Sequence, residues 1–299
     1  MGILISGNTA LHDDVPLSVR REIQGPILHW LDWQRIKSHI IFHKVLNRVR
    51  ALGPTRKTAP QHAALTCLNL KFSNGAERAF FHRASHADLG VIKTIFLYED
   101  YALRHLKRHA ELHAHYRSIL ESGQTPLIID AGSNIGSSVV FFAHHYPQAH
   151  IVCFEPNDSN FDLLTLNTKG LNVELHKAAI GSQNGAVDIV DPGEGEWGYR
   201  TQQSVSGTCP MMSISQIINE KTEHGFVPFL IKVDIEGGES NLFEAPHDWV
   251  DLFPVLIIEL HDWLLPRQQT SRTFLKCIAT YDRDFVHFGE NLFSLKNHL

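Results

Sequence analysis

The sequence lacks most features that would take a 299-residue chain out of the ordinary globular class. Its four cysteines, Cys67, Cys153, Cys209 and Cys277, are far apart and form no CxxC pair. That argues against a disulfide framework or a thiolate zinc site and fits a reducing, cytoplasmic setting. The longest apolar runs, around Val139–Ala143 and Val255–Ile258, fall far short of the roughly 18–20 residues that cross a bilayer. No integral membrane segment is expected. The first dozen residues lack the basic start, apolar core and cleavage site of a secretory signal. There is no repeat period, and 20 Gly and 13 Pro exclude collagen-like and low-complexity classes.

Acidic residues are missing between Trp33 and Ala76, while Arg35, Lys37, Lys44, Arg48, Arg50, Arg56, Lys57 and Lys71 fall within that stretch. The net charge of −5 is therefore unevenly spread: residues 1–129 carry +7 and residues 130–299 carry −12. A basic segment of this kind reads either as a surface for a polyanion or as a solvated helix face. Twenty histidines add a reserve of positive charge on acidification.

The N-terminal part matches M-G-x-x-x-[ST] through Gly2 and Ser6, a pattern that also arises by chance. From Ser18 to Leu52 the apolar spacing predicts a rough amphipathic helix ended by Gly53-Pro54. Residues 65–83 predict two strands about the turn Ser73-Asn74-Gly75, and Tyr98–Leu120 predicts another helix. On that helix His105, His109 and His113 would share a face, as a weak metal site or a solvent-facing stripe.

After Gly123 the pattern becomes short apolar strands alternating with helices: Leu127–Ile129, Ile151–Phe154, Val173–Leu175, Phe229–Val233 and Val255–Leu260. This implies an α/β fold, a parallel sheet covered on both faces, with ligands at the carboxyl ends of its strands. Two domains are expected, 1–124 as a helical or α+β extension for acceptor or partner contacts and 125–299 as the ligand-binding domain.

The first strand runs into Asp130-Ala131-Gly132-Ser133-Asn134-Ile135-Gly136. The glycines allow a tight turn and close approach of a ligand, but the spacing is not the G-x-G-x-x-G of dinucleotide sites. Asp130 would repel a pyrophosphate and suit a ligand with a cationic amino group. Glu155, ending the second strand 19 residues beyond Gly136, can accept two ribose hydroxyls. S-adenosylmethionine (SAM) meets these demands better than NAD.

The runs IIDAGSNIGSSVVFFA, FEPNDSNFDLLTLN, KAAIGSQNG, LIKVDIEGGESNLFEA and VLIIELHDWL resemble the FkbM family of SAM-dependent methyltransferases, from about Pro126 to His261. The resemblance implies a class I methyltransferase fold, a Rossmann-like sheet with helices on both faces. It implies that Asp130, Gly132, Ser133, Asn134 and Gly136 surround the methionine part of SAM. It places Glu155, with Pro156 and Asn157 after it, at the ribose, Lys177-Ala178 near the adenine, and Asp234 by the reacting end. Family members methylate hydroxyls of sugars and polyketide-type molecules, so a small-molecule or glycan acceptor is implied.

Asp234, Glu236, Glu259 and His261 are the expected catalytic group. In extended chain Asp234 and Glu236 share a face, as do Glu259 and His261, and neighbouring strands would bring all four together. Methyl transfer needs two aligned substrates and removal of one hydroxyl proton. His261 is the first expectation for the base, with Glu259 orienting it or the acceptor. Asp234 or Glu236 comes second, should burial and like charges raise a pKa. A divalent cation fits these donors but is not required by them, and His261 could instead be structural. The stretch 191–207, with Trp197, Tyr199 and Arg200, reads as an acceptor-contacting lid or a surface loop.

The expected activity is O-methylation of a sugar, glycan or secondary metabolite. A small-molecule N-methyltransferase and a non-catalytic SAM-binding or partner-docking module are the alternatives. Nucleic acid is not expected, since the −12 half would repel phosphates. A homo-oligomer is compatible with the sequence.

Overall fold

The computed structural model describes residues 4–7, 65–190, 200–203, 207–244 and 246–299. By internal contacts the chain divides into two compact units, Leu4–Ala84 and Ser85–Leu299. The predicted helix over 18–52 and the basic segment up to Lys57 lie outside the described residues.

In the smaller unit β1 (Leu4–Gly7), β2 (Leu65–Lys71) and β3 (Glu77–Arg83) form an antiparallel sheet in the order β1-β2-β3. The expected hairpin turns at Asn74-Gly75, where Gly75 takes a φ of 84°.

The larger unit begins with α1 (His86–Ile92), capped by Ser85, whose hydroxyl accepts the Asp88 N–H at 3.1 Å. The helix predicted from Tyr98 starts only at His109, as α2 (His109–Glu121). Glu99, buried at a φ of 56° and ion-paired with Arg104, turns the chain out of helix before that point. The histidine face is broken as a result. His105 sits in a separate short turn and stacks on Phe288 with ring centroids 4.6 Å apart.

From there strand and helix alternate as expected: β4 (Thr125–Ala131), α3 (Ser137–His145), β5 (His150–Phe154), α4 (Asp158–Asn167) and β6 (Val173–His176). A side sheet follows from β7 (Ala179–Gly181), β8 (Gly185–Val190), β9 (Arg200–Gln203) and β10 (Cys209–Ser213), ordered β7-β10-β8-β9. The chain continues through α5 (Ile214–Glu223), β11 (Phe226–Val233), α6 (Glu239–Leu242), β12 (Val255–Glu259), α7 (Arg272–Ile278), β13 (Arg283–Phe288) and β14 (Asn291–Lys296).

The central sheet has the order β13-β14-β12-β11-β4-β5-β6. Strands β6, β5, β4, β11 and β12 are parallel, and β14 runs antiparallel to both its neighbours. Chain order reverses between β4 and β11, the switch point at which open α/β sheets bind ligands. Alternate residues fill the two faces, so both are apolar and each strand reads as a continuous hydrophobic run. Leu127, Ile129, Ile231, Val233, Leu256 and Ile258 pack on one side with Ile214, Ile217 and Ile218 of α5 and Phe274 and Ile278 of α7. Helix α5 buries positions 214, 217, 218 and 221, the spacing of one helical face. At the sheet's other helices, Tyr116 of α2 and Tyr146 meet Phe229 with ring centroids 5.2 and 5.3 Å apart.

Candidate active site

The loop after β4 turns through Gly132 (φ 83°), Asn134 (φ 48°) and Gly136 (φ 89°) into α3. The Asp234 N–H donates to the Ala131 carbonyl at 3.1 Å and draws the tips of β11 and β4 together. A Cβ on Gly132 would stand 1.8 Å from the Asp234 carbonyl oxygen, so only glycine fits. Ser133 is buried and its hydroxyl donates to the Asp130 carbonyl at 2.9 Å.

Glu155 joins this loop to the next strand. Its two oxygens accept the Asn134 and Asn157 N–H groups, each at 2.8 Å. Burial lifts its carboxyl to about 7, against the pull of those two bonds. Pro156 and Asn157 follow, half-buried, and Asn157 caps α4 by accepting the Asn160 N–H at 3.1 Å. Lys177 is exposed and pairs with Asp158 at 2.5 Å, whereas Ala178 beside it is buried. Among the residues expected around SAM, Asp130, Ser133, Gly136, Glu155 and Ala178 are buried, while Gly132, Asn134, Pro156, Asn157 and Asp234 are half-buried.

Asp130 is fully buried and already has a cation. Its register partner on β11 is Lys232, whose Nζ lies 3.3 Å from Asp130 Oδ1 and 3.3 Å from Asp234 Oδ2. The same ammonium donates to the Gly132 carbonyl at 2.5 Å and lies 5.9 Å from the Tyr101 ring centroid. Ser138 donates to Asp130 Oδ2 at 2.5 Å. Burial alone would lower the Lys232 pKa, but Asp130 and Asp234 outweigh it and hold the ammonium well above its usual value. Lys232 is a site residue that sequence reasoning missed. The available signal was a lone lysine inside a strand buried on both faces, which requires a charged partner.

The four expected catalytic side chains do converge. His261 Nε2 lies 3.6 Å from Asp234 Oδ1, 3.4 Å from Glu236 Oε2 and 3.7 Å from Glu259 Oε1. The cause is a turn rather than extended chain: Glu236 (φ 54°) and Gly237 (φ 99°) fold the segment after β11 back on itself. Val233 and Ile258 are register partners, which sets Asp234 and Glu259 side by side. Beneath the imidazole, Glu239 Oε1 accepts the Nδ1 proton at 2.8 Å, a partner not singled out from sequence.

These contacts decide the protonation states. Burial disfavours a charged imidazole, yet Glu239, Asp234 and Glu236 together raise His261 to about 10, so it holds its proton at neutral pH. Burial and the charge of Asp234 raise Glu236 to about 8 and Glu259 to about 9. The condition attached to a carboxylate base, burial with like-charge crowding, is met. Asp234, Glu259 and His261 also place ligand atoms within 4.8 Å of one another, a set that suits a hard divalent cation. The stretch 191–199, with Trp197 and Tyr199, lies outside the described residues, as does the side chain of Arg200.

The family profile described as the methyltransferase FkbM domain matches residues 130–290. The chain belongs to this family. "Methyltransferase 1" of Beauveria bassiana is 28% identical over 161 residues, 45% of this chain and 64% of that protein. The hexuronic acid methyltransferase AglP of Haloferax volcanii is 27% identical over 175 residues, 56% of this chain and 71% of that protein. The 2-O-methyltransferase NoeI of Sinorhizobium fredii is 31% identical over 127 residues, 42% of this chain and 49% of that protein. The chain thus spans less than two thirds of two of these relatives.

The larger unit of this FkbM chain is a SAM-dependent methyltransferase domain of the class I fold. The residues present fit that cofactor: the loop has two positive-φ glycines and carboxylates stand nearby, while Lys232, the buried cation at the strand tips, is already paired with Asp130 and Asp234. A cationic sulfonium is favoured there and a pyrophosphate is not. Among the described residues, no helix is long and apolar enough to cross a membrane.

Proposed function

We propose that this chain moves the methyl group of SAM to a hydroxyl of a sugar, glycan or related secondary metabolite. The carrying observation is the convergence of Asp234, Glu236 and Glu259 on His261 Nε2, at the carboxyl ends of β11 and β12 beside the glycine loop. The hexuronic acid and 2-O-methyltransferase relatives support a sugar hydroxyl as acceptor.

In this reading the loop from Asp130 to Gly136 receives the methionine part of SAM, Glu155 the ribose, and the Lys177-Ala178 segment the adenine. Bound SAM supplies an electrophilic methyl on a positively charged sulfur. The new bond joins acceptor oxygen to methyl carbon as the sulfur–methyl bond breaks, and the sulfur keeps the electron pair. The hydroxyl proton passes to the carboxyl group of Glu236, whose Oε2 lies 3.4 Å from His261 Nε2. His261, cationic and pinned by Glu239, holds Asp234, Glu236 and Glu259 in place and balances part of their charge. The N-terminal region, 1–124 with its basic segment, is assigned to acceptor or partner contacts, and a cytoplasmic setting belongs to the same reading.

The test is methyl transfer from labelled SAM to a panel of sugars, with release of S-adenosylhomocysteine measured alongside. Transfer to oxygen supports the reading. SAM binding with no release on any hydroxylated acceptor would leave a sensor and end the proposal.

A further inference from the structure

Beside the acidic cluster lies a cavity of about 430 Å³, lined by Leu260, Trp263, His287, Gly289, Glu290 and Leu292. None of these residues belongs to the loop and strand tips assigned to SAM. The volume falls within the roughly 300–1,000 Å³ usual for small-molecule pockets. One wall is continuous with the catalytic group, since Leu260 stands between Glu259 and His261 and Trp263 closes the short turn His261–Trp263. The other wall is the β13–β14 hairpin, held to β12 by the pairing of Glu259 with Asn291. Both walls are therefore fixed to the residues proposed to act on the acceptor hydroxyl.

The lining has a specific chemistry. Trp263 is 61% exposed, uncommon for an indole, and offers a flat apolar face to the cavity it lines. Leu260 and Leu292 extend the apolar surface, and Glu290 supplies hydrogen-bond acceptors. The charge around the cavity is negative. A Cβ on Gly289 would stand 2.5 Å from Asp100 Oδ2, so the Asp100 carboxyl packs on the hairpin turn next to Glu290. Glu290 acts on both Asp100 and Glu259, raising the carboxyl of each beyond what burial does. Against these three carboxyl groups the lining sets one imidazole, His287.

We propose that this cavity is the acceptor subsite, and that it takes a neutral or amino-bearing pyranose, with the C–H face of the ring on Trp263 and hydroxyls on Glu290. A hexuronic acid, the acceptor class named for the Haloferax relative, is disfavoured by Glu290 and Asp100. This assignment rests on the sugar O-methylation reading and narrows its substrate class.

The experiment compares methyl glucoside, glucosamine and glucuronate as acceptors for wild type, Trp263→Ala, Trp263→Phe and Glu290→Gln. Saturation-transfer NMR reports sugar binding in the presence of S-adenosylhomocysteine. Trp263→Ala is expected to raise the acceptor KM roughly tenfold, with Trp263→Phe recovering most of it and SAM affinity unchanged. Glu290→Gln is expected to narrow the preference for methyl glucoside over glucuronate. Turnover with an unchanged KM in Trp263→Ala, or glucuronate as the preferred acceptor, overturns the subsite and leaves the transferase reading standing. Binding of methyl glucoside that depends on Trp263, without methyl transfer, keeps the subsite and overturns the transferase reading. Neither binding nor transfer with any of the sugars overturns both.

Discussion

Glu239 accepts the Nδ1 proton of His261 at 2.8 Å, and both side chains are almost wholly buried. That bond fixes the ring so that Nε2 faces Asp234, Glu236 and Glu259, and it supplies the largest part of the rise in the His261 pKa. Glu239→Gln keeps the shape and removes the charge. The His261 ring is then expected to titrate well below 10, followed by NMR of the imidazole, with methyl transfer slowed and SAM affinity retained. A titration unchanged by the substitution would mean that the three carboxylates at Nε2, not Glu239, hold the proton on the ring.

The same cluster predicts an unusual dependence of stability on pH. For His261 the folded pKa of about 10 lies above the unfolded value of about 6.5. Its contribution is complete below about 6.5 and is lost as pH rises through 10. Glu236 and Glu259 are also raised, to about 8 and 9, so each favours the folded state most below the unfolded carboxyl value of about 4.5 and loses that contribution as pH climbs. All three act in one direction. The melting temperature of the ligand-free protein should fall between about pH 5 and 10, and the fall should shrink in Glu236→Gln. A melting temperature that rises over this window would contradict the buried-cluster account.

Lys232 connects the glycine loop after β4 to the acidic cluster through Asp130, Asp234 and the Gly132 carbonyl. Lys232→Met would leave Asp130 buried without its cation. Removing one member of a buried pair costs about 3–5 kcal/mol, so chemical denaturation should show a loss of that order. Adding Asp130→Asn should recover part of it, since the neutral amide no longer needs the ammonium. Additive losses in the double variant would deny the pairing.

At Gly132 two constraints coincide, a φ of 83° and the Asp234 carbonyl 1.8 Å from where a Cβ would stand. The left-handed backbone alone costs about 1–2 kcal/mol in alanine, and the contact with backbone adds to it. Gly132→Ala is expected to lower stability by more than Gly170→Ala, where φ is 81° but nothing lies within 4 Å. Equal losses at the two positions would remove the close approach of β4 and β11 as a design constraint.

The central strands were legible because burial on both faces writes each one as an unbroken apolar run, and the acidic residues at the carboxyl ends of β4, β5, β11 and β12 marked the expected ligand edge. Four things were not. The pairing of Lys232 with Asp130 is a matter of register between β11 and β4, two strands far apart in sequence. The role of Glu239 depends on a turn at Glu236 and Gly237 that carries the chain back beneath His261. The helix start at His109 depends on Glu99 adopting a positive φ, a conformation that residue type rarely takes. Trp263 drew no attention in the motif VLIIELHDWL, because exposure beside a cavity is a property of packing rather than of spacing.

Glu236 as proton acceptor makes a kinetic prediction that separates it from His261. A base must be unprotonated, so with Glu236 raised to about 8 the methyl-transfer rate should climb with pH and level off above that value. In Glu236→Gln the rate should drop by roughly 10²–10⁴-fold, and the inflection near 8 should disappear while SAM binding persists. His261→Gln should also slow transfer, but it should leave an inflection, displaced because the imidazolium charge that lowers the Glu236 pKa is gone. Chelation provides the remaining control. Proton transfer to Glu236 would need no metal ion, so excess chelator should leave the rate unchanged. Activity lost to the chelator and restored by Mg²⁺ would turn Asp234, Glu259 and His261 from a proton-handling group into a ligand set, and the acceptor hydroxyl would then be activated by the cation.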